Sequence, residues 1–94
     1  MYLDLIIEYA RNVLKAIDEE FPKQKLYNGI VRDIYILTEK ILRSAEEKCI
    51  FTEKIDMYSV GREFVDDTGY YNSPVILEFE KLVNQLKKLQ ENIK

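Results

Sequence analysis

The sequence predicts an all-α fold: a small antiparallel four-helix bundle of three long helices and one shorter one. Three observations predict it. Apolar residues recur three or four apart along most of the chain, the spacing that lines one face of a helix. Pro22, Gly69 and Pro74 fall between those runs, where helices end and begin. The one stretch with strand-like alternation, Ile55 to Val60, has no second such run to pair with. The 94 residues are read as one domain, 1–94, and at this size a chain buries roughly two-thirds of its unfolded surface.

Residues 3–21 give the first helix, with Leu3, Ile7, Ala10, Leu14, Ile17 and Phe21 forming a seam that Ile6 and Val13 widen. Asp4 and Glu8 lie early and Arg11 and Lys15 later, in accord with the helix dipole, whereas Asp18, Glu19 and Glu20 oppose it. Those three acids are read as a solvated end, with a docking patch as the alternative. Phe21-Pro22 marks a boundary, because the residue before a proline is driven out of the α region. The short connection makes the first two helices antiparallel neighbours.

The second helix is expected over Leu26–Cys49 and is read as the centre of the fold. Tyr27, Ile30, Ile34, Leu37, Ile41 and Ala45 form one row, and Val31, Tyr35, Thr38, Leu42 and Cys49 a second beside it. Gly29 inside this helix costs about 1 kcal/mol relative to alanine, so it is assigned to close approach of another helix. Ile36 alone interrupts the charged stripe on the opposite side.

From Ile50 to Ser73 the regularity weakens. A helix is expected here, capped by Thr52, with a short strand the competing reading over 50–60. Asp66-Asp67-Thr68-Gly69 reads as its end, Gly69 supplying a positive φ. Asn72 or Ser73 caps the last helix, Pro74 takes its first position, and Val75, Phe79, Leu82, Leu86, Leu89 and Ile93 form the cleanest heptad seam.

Composition excludes several function classes. The formal charge is −3, and residues 50–73 set five acids (Glu53, Asp56, Glu63, Asp66, Asp67) against two bases (Lys54, Arg62). No basic face that would neutralise phosphates stands out, which disfavours nucleic acid as a partner. No apolar run reaches the eighteen or so residues of a membrane span, and no signal peptide is evident, so the expectation is a cytoplasmic protein without a membrane partner. There is no histidine, so neither Cys49 nor any serine has one to activate it, and phosphate-binding glycine motifs are absent. Cys49 is read as a half-buried structural residue. The adjacent pairs Glu46/Glu47 and Asp66/Asp67 diverge on a helix and lack the spacing of a calcium loop. The chain is therefore expected to have no enzymatic activity, no cofactor and no metal.

What remains is Val65-Asp66-Asp67-Thr68-Gly69-Tyr70-Tyr71-Asn72-Ser73-Pro74, which gathers two carboxylates and two tyrosines in a connecting segment. Asp66, Asp67, Tyr70 and Tyr71 are the expected partner-binding residues, because tyrosine offers a large amphipathic contact area at low rotamer cost. The structural alternative is that the tyrosines close the end of the bundle while the aspartates terminate a helix. This turn resembles the acidic, double-tyrosine loop of the small four-helix immunity proteins that neutralise colicin-type nuclease toxins, in which a Ser-Pro also opens the last helix. The resemblance implies that Tyr70 and Tyr71 anchor a toxin and that Asp66 and Asp67 meet its basic surface. In that family the acids lie between the tyrosines and the Ser-Pro; here they precede the tyrosines.

Ser73-Pro74-Val75-Ile76 leading into Phe79 to Val83 is similar in rhythm to the small helical phosphatases that act on aspartyl-phosphate response regulators. Their serine and aspartate are replaced here by Phe79 and Val83, which argues against that activity. The leading expectation is a non-enzymatic protein-binding module of the immunity-inhibitor type. A helical protein that self-associates as a homodimer through Ile36 is the alternative, with a phosphatase-like regulatory bundle as the third.

Overall fold

The computed structural model describes residues 2–91, so Ile93 of the expected heptad seam lies outside the described residues. The fold is all-α, with α1 Tyr2–Glu20, α2 Ile30–Glu46, α3 Met57–Thr68 and α4 Pro74–Glu91, and a single 3-10 turn at Gln24–Leu26. Three helices are long and α3, at 12 residues, is short, as the periodicity predicts.

The centre of the bundle is α1, not α2. Ile6, Ala10, Val13 and Ile17 are fully buried along α1, which lies between α2 and α4 and packs extensively on both. The reason is stripe width: Leu3, Ile7, Tyr9 and Ala16 flank that row and pack against the same core, so α1 offers apolar surface on two sides. The Arg11 guanidinium donates to Glu46 Oε2 at the end of α2 (3.3 Å), so α2, which starts a short connection after the end of α1, runs back along it and the two are antiparallel. Ser73 Oγ donates to Glu20 Oε1 at 3.0 Å, joining the end of α1 to the start of α4 and making that pair antiparallel too.

The three acids at the end of α1 are held rather than idle. Asp18 accepts from Lys25, Glu19 pairs with Lys15 at 4.0 Å, and Glu20 is bound by Ser73. Exposed pairs of this kind contribute about 0–1 kcal/mol each. Lys25 also lies 5.0 Å from the centroid of the Tyr35 ring, and the hydrogen bond to Asp18 holds its ammonium above the ordinary lysine range.

The second helix begins later than the spacing suggests. Gly29 is not inside it but immediately before it, at φ 153°, a backbone conformation that favours glycine. Tyr27 is consequently outside the helix and exposed. The close neighbour at Gly29 is a side chain rather than a helix: a Cβ there would lie 3.4 Å from Asp67 Oδ2. Residues 50–56 form neither helix nor strand, and α3 is capped by Asp56 instead of Thr52. Asp56 accepts from the Ser59 amide at 3.2 Å and from the Ser59 hydroxyl at 2.8 Å, two bonds that Thr52 is too far upstream to make. Cys49 is exposed, not half-buried, because α2 ends before it and Lys48 turns the chain at φ 60°.

Candidate functional site

The segment from α3 to α4 divides the four expected binding residues into two pairs. Gly69 ends α3 in the left-handed conformation, φ 76°, its amide donating to Val65 O at 2.8 Å. Four residues later the Ser73 hydroxyl accepts from the Val75 amide at 3.1 Å and starts α4. Gly69 is the expected end of α3 and Ser73 is the cap among the two candidates Asn72 and Ser73, and together they fix where the intervening side chains stand.

Asp67 turns inward. Its Oδ2 accepts from the Ile30 amide at 3.1 Å, so a carboxylate from the last turn of α3 caps the first turn of α2. Negative charge at that helix start also favours the dipole. Tyr70 packs its ring against Phe21 at 5.8 Å and 69°, and Phe21 in turn meets Phe64 edge-on at 5.7 Å and 89°. These three rings close one end of the bundle, although Tyr70 keeps 59% of its surface exposed. For this pair the architectural role, expected as the alternative, is what the contacts show.

Asp66 and Tyr71 face elsewhere. They line an open groove of about 540 Å³ between α3 and α4, together with Met57, Tyr58, Gly61, Arg62, Val65, Ile76 and Glu80. Its geometry follows from helix spacing. Tyr58, Arg62 and Asp66 are four apart and make the outer row of α3; Met57, Gly61 and Val65 make the inner one. Ile76 and Glu80, also four apart, supply the α4 wall. Tyr58 and Tyr71 are each 77% exposed, the most exposed of the large apolar side chains. Asp66, Arg62 and Glu80 have no hydrogen-bond or ion-pair partner among the described residues.

Tyr58 and Gly61 escaped the sequence reading as site residues, because Tyr58 fits an apolar helical row as well as a core tyrosine does. The signal available was Gly61 itself. A glycine inside a helix costs about 1 kcal/mol against alanine, yet a Cβ here would meet nothing within 4 Å. No packing among the described residues requires it.

Ile36 is on α2 and 39% exposed. Its helix neighbours three and four away, Arg32, Asp33, Glu39 and Lys40, are all charged and exposed, so no apolar patch surrounds it on its own helix. Among the described residues no three His, Cys, Asp or Glu side chains gather as a metal site, and no helix is long and apolar enough to cross a membrane. Comparison of the chain with protein-family models, with curated proteins and with solved structures finds no match.

Proposed function

We infer that the protein is a non-enzymatic, cytoplasmic protein-binding module whose docking surface is the groove between α3 and α4. The observation that carries this is the pair of outward phenols, Tyr58 and Tyr71, standing over an apolar floor beside the unpaired carboxylate of Asp66. Tyrosines of this kind are interface anchors that lose water at little rotamer cost. The chain has no histidine that could activate its one, exposed cysteine, so recognition rather than turnover suits the residues present. In its narrower form the reading is an immunity-type inhibitor that masks a basic toxin or enzyme, supported by the acidic excess of residues 50–73. Asp66 and Tyr71 then carry the contact, with Asp67 and Tyr70 supporting the turn. Self-association through Ile36 is less favoured, since it brings four charged neighbours into the contact.

The test is affinity capture from the native host with the wild-type chain and with a Tyr58→Ala/Tyr71→Ala variant, both shown to be folded by circular dichroism. Removing two anchors costs an interface about 2 kcal/mol or more, roughly thirtyfold in affinity. The expected result is a protein retained by the wild type and lost by the variant. Equal retention, or no specific retention by either, overturns the reading.

A further inference from the structure

We propose that the occupant of the α3–α4 groove is an α-helix of a partner protein, seated with its backbone close over Gly61 and presenting a cationic side chain to Asp66 in a groove whose other wall carries Glu80. The inference rests on the reading that this groove is the binding site, and three observations specify the occupant.

The first is Gly61. It lies in the middle of α3 with ordinary helical backbone, so neither a turn nor a positive φ accounts for it, and the space its missing side chain leaves is empty. Glycine on a helix surface permits another backbone to approach closely. Nothing among the described residues uses that approach; an external element can.

The second is the form of the groove. Its walls are two helices whose side chains come in rows four apart, which matches the i, i+3, i+4 anchors of a helix laid in a groove. Strand addition is unavailable there, because the amides and carbonyls of a helix are satisfied within it and no strand occurs among the described residues. Met57, Val65 and Ile76, each partly buried against the core or beside it, give the floor on which an aliphatic anchor rests.

The third is charge. The last turn of α3 contains Asp66 and Asp67 and no basic residue, at the end where the dipole is negative. Asp67 is engaged by Ile30, whereas Asp66 is unpaired, as is Glu80 across the groove. A partner cation placed at this end meets the Asp66 carboxylate and the negative end of the α3 dipole, with Glu80 on the opposite wall adding to the acidic field. Arg62, one turn back, excludes a second cation there, so the charge complementarity has a direction along the groove.

The experiment is a display selection on the intact protein with three pools of random peptides, held as helices, as β-hairpins or as extended chains. Each pool is depleted on a Gly61→Gln variant, whose added side chain fills the floor and whose residue type favours helix. Circular dichroism should show that variant, and Gly61→Ala, to be at least as thermally stable as the wild type. The expected result is enrichment from the helical pool of sequences with an apolar stripe and an Arg or Lys at one fixed position. Their affinity should fall about tenfold or more on Gly61→Gln and on Asp66→Asn/Glu80→Gln, and less on Gly61→Ala. Binders from the hairpin or extended pools, or helical binders without the cation, that still need Tyr58 and Tyr71 overturn this inference and leave the docking groove standing. Absence of any binder sensitive to Gly61 or to the tyrosines overturns both. Sedimentation of the protein alone gives the remaining outcome: a dimer abolished by Gly61→Gln identifies the occupant as a second copy and overturns the proposal of a foreign helix.

Discussion

The two helices that form the groove are held in the fold in opposite ways. Along α4, Val75, Phe79, Leu82, Val83, Leu86 and Leu89 are all buried, an unbroken seam against α1. Along α3 only Phe64 is buried, and the helix makes limited contact with α2 and α4. Stability is distributed unevenly in proteins, and binding elements are drawn from its lower end. The groove therefore has one fixed wall and one lightly attached wall, and the lightly attached one presents Tyr58, Gly61 and Asp66.

The largest expected effect comes from cutting each seam at its phenylalanine. Phe79→Ala, at a fully buried site, should lower the unfolding free energy of the whole protein by about 3–5 kcal/mol in urea titration. Phe64→Ala removes the same side chain from an equally buried site, yet α3 has no other buried residue to keep it docked. Native-state hydrogen exchange should then show α3 amides losing protection while α1, α2 and α4 keep theirs. A single cooperative loss in both variants would erase the distinction between the two walls.

A smaller effect separates two adjacent carboxylates. Asp67→Ala removes the cap on α2 and should cost about 1 kcal/mol, with faster exchange at the amides of residues 30–33. Asp66→Ala, exposed and unpaired, should change stability by less than about 0.5 kcal/mol. Equal costs would show that Asp67 is not the only one of the pair built into the fold.

The smallest effect is in acid, and it contrasts the two helix starts. The hydroxyl and amide of Ser59 hold the Asp56 carboxyl below its ordinary value of 3.8. A carboxyl lowered in the folded state contributes stability that is present above the ordinary value and lost as pH falls through the lowered one. The cap of α4 is a serine hydroxyl accepting from Val75, which does not titrate. Below pH 3.8, first-turn amides of α3 should lose protection before those of α4; simultaneous loss would remove Asp56 as the cause.

The same contrast decides what the sequence could show. The heptad seam of α4 and the seam of α1 are legible because deep burial admits only apolar residues at a fixed period. Ser73-Pro74 and Gly69 are legible because caps have few chemical solutions. The start of α2 was misplaced because Tyr27 continues the apolar spacing by chance, although Asn28-Gly29 is a turn signal that outranks one aromatic. The hub is not legible from periodicity because α1 and α2 both carry wide stripes, and which of them lies between the other helices is settled only by the packing of α1 on α2 and α4. The division of labour between Asp66 and Asp67 was not legible at all, since it depends on a contact spanning 37 residues of sequence.

That long-range contact ties the α3 wall of the groove to the start of α2. The carboxylate holding the first turn of α2 follows directly upon the one facing the groove, on the same final turn of α3. Whatever pulls that turn outward must slacken the latch on Ile30; whatever pins it must tighten the latch. The exchange rate of a single backbone amide, that of Ile30, therefore reads where the end of α3 stands relative to the start of α2.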